Sequence, residues 1–260
     1  MADSALFSVD LEPNKDGTMD GVRDAMEWFD RVVPRGTVFT TYRIAAEAPD
    51  LLATLSESHE IGVHVHPREF GHDSDQLAEL PRDRQWELVK RTREEITDVI
   101  GNEPISFRAG RHSASLETVD VLQELGFAVD ASINVRYDGY LPATLTKRSE
   151  PFELNGLLEV PVTHGTLPIF STCGLRALAE RPVTATAATL RADRWKCSGT
   201  SALTELAANA EVFSFYMHPY DATNHHGLEN TGMEYRERLE VLLNQLTDAV
   251  FVAIGDLVEI

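Results

Sequence analysis

His59-Glu60-Ile61-Gly62-Val63-His64-Val65-His66-Pro67 is the stretch on which the fold turns. In an extended chain successive side chains point to opposite faces. Ile61, Val63 and Val65 therefore share one apolar face, and Gly62, His64 and His66 share the other. The same parity recurs in three further segments. Phe7, Val9 and Leu11 oppose Ser8, Asp10 and Glu12; Ile105 and Phe107 oppose Ser106 and Arg108; Phe213, Phe215 and Met217 oppose Ser214, Tyr216 and His218. Each segment has one face fit to pack under helices and one that grows more polar toward its C-terminal end.

Working outward, short apolar runs mark strands at residues 6–11, 37–41, 61–66, 105–108, 128–132, 157–162, 212–218 and 250–254. Helical spacing marks residues 20–33, 49–56, 82–100, 116–125 and 235–249. Pro81 and Gly101 punctuate the longest of these, and Gly126 follows another. Strands alternating with helices imply a parallel sheet. About seven to eight such strands suit a distorted (β/α) barrel in one α/β domain over residues 1–260. Barrels of this kind place their chemistry at the C-terminal ends of the strands. Asp10, Glu12, His64, His66, Arg108 and His218 are therefore expected to converge. Residues 134–156 lack periodicity and read as a loop beside that site, and residues 170–194 are ambiguous.

Composition narrows the partners. The chain has 23 basic and 42 acidic residues and a net charge of -19. Such a field repels nucleic acid and anionic membrane. No apolar run approaches the ~20 residues of a membrane helix. With no basic and apolar leader at residues 1–4, a cytoplasmic protein is expected. Only 4 of the 23 basic residues are Lys. This acidic, lysine-poor surface is the kind expected in a saline cytoplasm, where the Debye length shrinks to ~3 Å at 1 M. Cys173 and Cys197 lack metal-ligand spacing, and whether they pair is open. A homo-oligomer is also left open.

At these motifs the chain resembles the NodB-homology polysaccharide deacetylases. The resemblance rests on Phe7-Ser8-Val9-Asp10-Leu11-Glu12-Pro13, the 59–67 stretch, Phe107-Arg108-Ala109-Gly110, Gly126-Phe127-Ala128-Val129-Asp130, Met217-His218-Pro219-Tyr220-Asp221 and the 251–257 strand and turn. There are two departures. Leu11 stands where many relatives have a second aspartate, so the acid-x-acid pair Asp10 and Glu12 takes that place. Arg68, not His, follows four residues after His64, so His66 is the substitute and His72 the fallback.

The resemblance implies a metal-dependent hydrolase acting on carbon–nitrogen bonds other than peptide bonds. Its divalent metal would be zinc, or else cobalt or nickel, held by Glu12, His64 and His66. Asp10 would be the base, Arg108 its partner and His218 the acid, with Asp130 tuning His218. No other cofactor is implied. The substrate would be an N-acetylated sugar. Two alternatives stand beside it: a small-amide hydrolase of the allantoinase-like type, and a non-catalytic sugar-binding barrel that has lost its metal. Tyr137, Tyr140 and Phe70 are candidates for stacking on a sugar ring. Arg111 and His112 are candidates for substrate contact. Asp221, His225 and His226 read as a rim.

Overall fold

The protein is described here by a computed structural model. It describes residues 2–137, 139–168, 180–194, 197–224 and 227–258. The strands in chain order are β1 (Ser4–Leu11), β2 (Thr37–Thr40), β3 (Glu60–Val65), β4 (Ser106–Ala109), β5 (Val129–Asp130), β6 (Phe152–Leu154), β7 (Leu157–Glu159), β8 (His164–Pro168), β9 (Glu180–Thr184), β10 (Asp193–Arg194), β11 (Cys197–Ser198), β12 (Val212–Met217) and β13 (Val250–Phe251). The main sheet runs β12-β1-β2-β3-β4-β5-β7-β6, with β13 beside β1. All its pairings are parallel except that of β6 with β7. The expected α/β barrel is therefore present, as a curved, mostly parallel sheet open at one side. β8 with β9 and β10 with β11 form separate antiparallel pairs.

The open side is bridged by Thr163. Its N–H donates to Ser214 O at 3.0 Å, its Oγ1 accepts from Ser214 N at 2.8 Å, and its hydroxyl donates to Val212 O at 3.1 Å. The expected strand at 157–162 runs only to Glu159, but beyond it Val160 N and Val162 N still donate to Asp130 O and Ile133 O, at 2.8 and 2.9 Å, before Thr163 reaches β12.

Helices cover the outer face. The main ones are α1 (Val22–Val32), α2 (Tyr42–Glu47), α3 (Pro49–Leu55), α4 (Arg82–Ile100), α5 (Leu116–Glu124), α6 (Ala143–Thr146), α7 (Ala187–Arg191), α8 (Gly199–Ala208) and α9 (Met233–Gln245). Gly101 ends α4 at φ 78°, a conformation only glycine takes freely. Ser115 and Thr118 form a capping box that starts α5. Among the described residues no helix is long and apolar enough to cross a membrane.

Strand parity sorts the core into two layers. Phe7, Val9, Val63, Val65, Phe107, Phe213 and Phe215 pack outward in a large cluster with the helices. Each such side chain contributes roughly 1.5–3 kcal/mol by leaving water. Leu6, Phe39, Val129, Ala131, Val160 and Ile254 form a second cluster. Leu6 has the parity of Ser8 and Asp10, so this cluster is the apolar floor beneath the polar mouth. Gly62 belongs to the same inner face. A Cβ there would come within 2.6 Å of the Phe39 ring. The first two residues of the opening stretch are structural. His59 Nδ1 accepts from Gly36 N at 3.1 Å, and Glu60 ties Thr37, Ser106 and Gly255 together.

Candidate active site

The predicted side chains meet at the C-terminal rim of the sheet. A cavity of about 550 Å³ is lined there by Asp10, Glu12, His64, His66, His218 and, unforeseen, Asp75, among others. β1 carries Asp10 and delivers Glu12 one step beyond its end; β3 does the same for His64 and His66. Because each pair is spaced by a two-residue step, both members face the barrel axis.

Glu12, His64 and His66 form a three-ligand cluster whose donor atoms lie within 4.8 Å of one another. The His64 and His66 Nε2 atoms are 3.1 Å apart, and His66 Nε2 is 2.8 Å from Glu12 Oε2. Each ring has an acceptor behind it. His64 Nδ1 donates to Arg108 O at 2.8 Å, and His66 Nδ1 to Asp75 Oδ2 at 3.0 Å. With both Nδ1 atoms protonated, two Nε2 lone pairs face each other and a carboxylate. That arrangement calls for positive charge between them. Burial opposes a proton on His66, yet Asp75 and Glu12 outweigh it and push the imidazole up to about 10. Burial holds His64 down to about 4, so it stays neutral. The donor set thus fits a divalent cation: two imidazoles and a carboxylate, their rings already oriented. His72 is not part of this cluster.

Asp10 lies 3% exposed beside the cluster. Arg108 Nη1 donates to its Oδ1 at 2.6 Å, while its Oδ2 lies 3.9 Å from His218 Nε2. Burial alone would raise the Asp10 carboxyl; Arg108, with His64 and His218 beside it, overrides burial and holds it well below the usual range. Arg108 is itself fixed by a bond from Nε to Ala131 O at 3.1 Å. It also lies over the Phe39 ring at 4.3 Å.

His218 sits on the opposite wall, its Nε2 3.7 Å from Glu12 Oε1. Burial works against its charge, but Asp221, Glu12 and Asp10 outweigh burial and raise it. Tyr220 stacks on the ring at 4.5 Å and 15°.

Asp130 does not tune His218. It sits on β5, five places along the sheet from β12, and its Oδ1 accepts from the Ser132 N–H at 2.9 Å. The carboxylate beside His218 is Asp221. Its Oδ2 accepts from His218 N at 3.0 Å and lies 3.8 Å from Nδ1, and its Oδ1 is 3.1 Å from Arg191 Nε. The Met217–Asp221 motif contains both residues, so the signal was in the sequence. Asp130 instead pairs in register with Glu159. Both are buried, and Asp130 Oδ2 and both Glu159 oxygens have no hydrogen-bond partner among the described residues. Burial pushes Asp130 up to about 6 and raises Glu159 further above its ordinary value.

Arg111 and His112 line the cavity, both in the left-handed region at φ 54°. Such strain costs about 1–3 kcal/mol per residue and clusters at functional sites. Tyr137 stacks on His112 at 5.2 Å and also lines the cavity. Tyr140 instead donates to Glu79, and Phe70 packs on Tyr42 at 5.3 Å as part of the helical layer. His225, His226, Cys173 and residues 169–179 lie outside the described residues.

Comparison with known proteins agrees with the fold and the motifs. The polysaccharide deacetylase family model matches residues 16–129. A candidate polysaccharide deacetylase from Mycobacterium smegmatis has a similar structure: 18% identity, TM-score 0.63, covering 99% of this chain and 90% of that one. A family 4 carbohydrate esterase from Streptomyces lividans, in complex with acetate, aligns at 11% identity and TM-score 0.52 over 95% of this chain and 91% of its own. A family 4 pseudoenzyme from Bacillus anthracis aligns at 11% identity and TM-score 0.57 over 98% of this chain and 65% of its own. Among curated proteins no sequence matches. The family match over residues 16–129 and the shared barrel fold support the resemblance to the polysaccharide deacetylases.

Proposed function

We propose that this protein is a metal-dependent hydrolase that removes the acetyl group from an N-acetylated sugar. The observation that carries the reading is the Glu12–His64–His66 cluster, with both imidazoles already oriented by Arg108 O and Asp75. Fold alone does not decide activity, because a pseudoenzyme has the same barrel.

Glu12, His64 and His66 would hold the metal. When bound, a divalent ion of this kind polarises an amide carbonyl and makes water more acidic. The remaining steps belong to the chain. Arg108 keeps Asp10 ionised and leaves Oδ2 facing the cavity. Asp10 takes a proton from the attacking water, whose oxygen forms the new bond to the acyl carbon. His218, kept charged by Asp221 and the site carboxylates, gives its proton to the amine nitrogen as the C–N bond breaks. The apolar floor of Phe39 and Leu6 closes the site from below.

Metal content, read by elemental mass spectrometry on wild type and His64→Ala, is the test. About one zinc, cobalt or nickel per chain, lost in the variant, is expected. Asp10→Asn should keep the metal and lose roughly 100- to 10,000-fold in kcat on N-acetylated sugars. A chain that takes up no metal when it is supplied would instead be a sugar-binding barrel. Turnover of small cyclic amides in preference to sugars would favour the allantoinase-like alternative.

A further inference from the structure

Beside the catalytic cavity lies a second one of about 210 Å³. Tyr137, Tyr216, His218 and Tyr220 border both. Lys15 also borders both, its Nζ 5.1 Å from the centre of the Tyr220 ring, and Arg136 and Arg191 line the second space. Three cations here run against a composition of 23 basic and 42 acidic residues.

The acids around the two cavities already have cationic partners. Arg108 holds Asp10, His66 holds Glu12 and Asp75, and Arg191 with His218 holds Asp221. The Arg136 guanidinium has no ion pair among the described residues. Its backbone is nevertheless held in place. Arg136 N donates to Asn134 Oδ1 at 3.1 Å, and the buried Asn134 Nδ2 meets His112 Nε2 at 3.3 Å. A cavity-lining arginine whose backbone is anchored, and whose guanidinium has no ion pair among the described residues, is a built feature.

We infer that the second cavity is a subsite for a phosphate carried by the substrate. The acetylated sugar would then arrive as a sugar phosphate or diphosphate rather than as a neutral chain. This inference rests on the deacetylase reading above. A guanidinium fork matches phosphate oxygens, and a lysine adds a compact charge. A net charge of -19 repels anions at long range, so an anionic substrate needs local cations and a neutral glycan does not.

The test is calorimetric titration of the metal-loaded full chain at low ionic strength. The probes are N-acetylglucosamine, its 1-phosphate, its uridine diphosphate ester, and its diphosphate ester on a short polyprenyl chain in neutral detergent. At least one phosphorylated probe should bind about tenfold or more tighter than the neutral sugar, and the arm that gains most identifies the carrier. Arg136→Gln should cut that preference to about threefold or less, as should added salt. If Arg136→Gln misfolds by near-UV circular dichroism, Lys15→Gln takes its place. Equal affinity for all probes, or a preference that neither variant reduces, overturns the subsite. Acetate release is read separately. A phosphate preference without release sinks the deacetylase reading and leaves the subsite. Release from neutral chains without any phosphate preference does the reverse.

Discussion

His66 stands where the family pattern puts no histidine, and Asp75 makes it usable. Without Asp75 behind Nδ1 the ring is free to rotate or change tautomer. Asp75→Asn should therefore weaken metal binding by about 10- to 100-fold while leaving the fold intact, as read by competitive chelator titration. Strand alternation made His64 and His66 legible, because a two-residue step keeps both on one face. Asp75 was not legible, because it lies in the loop 71–76, where no periodicity marks direction. The Asp130–Glu159 pair was misread for a related reason. Sequence showed an aspartate ending a strand but not which neighbour that strand would face. Its titration has a definite sign. Both folded-state values are raised, so the pair's stabilising contribution is complete below about pH 4; Asp130's share is lost as pH climbs through about 6 and Glu159's as pH climbs through its own raised value. Glu159→Gln should raise the melting temperature at pH 8 and change it little at pH 4. Its new amide can donate to the unpartnered Asp130 Oδ2. A lower melting temperature at pH 8 would show that the ionised pair is compensated after all.

At the level of elements, β2, β3 and β4 hold Phe39, Gly62 and Arg108 in one stack. Phe39 can sit 4.3 Å under the guanidinium because Gly62, its neighbour in register, has no side chain. Gly62→Ala should overpack that stack, costing about 1–3 kcal/mol in the denaturant midpoint and disturbing Asp10 through Arg108. An unchanged midpoint would mean that Phe39 has room to move. All eight strand candidates appear as strands, within a few residues at their ends. Their apolar faces are continuous, and parallel strands buried under helices read clearly for that reason. α2, α6, α7 and α8 and the antiparallel pairs were missed. The helices α2 and α7 have six and five residues, too few for a period to show. The β8–β9 pair is half polar, with burial set by neighbours that are distant in sequence.

For the whole molecule, charge and closure matter most. A charge of -19 spread over one domain repels itself, and salt screens that repulsion. If the composition reflects a saline cytoplasm, the melting temperature should climb between 0.1 and 2 M potassium chloride; a flat or falling curve would count against that reading. The Thr163 bridge has a different consequence. Where the seven strands from β12 to β7 are joined by six continuous ladders, the closing junction rests on a few bonds: those of the Thr163 amide and hydroxyl, and the Tyr216 N–H that donates to Ala185 O at 3.3 Å. The ring of strands is a split one, fastened by a short clasp centred on Thr163. Small opening fluctuations will concentrate at that clasp. The gap between β12 and β7 is thus the place where a homologous chain could accept an inserted segment while the ladders joining β1, β2 and β3, which carry Glu12, His64 and His66, stay intact.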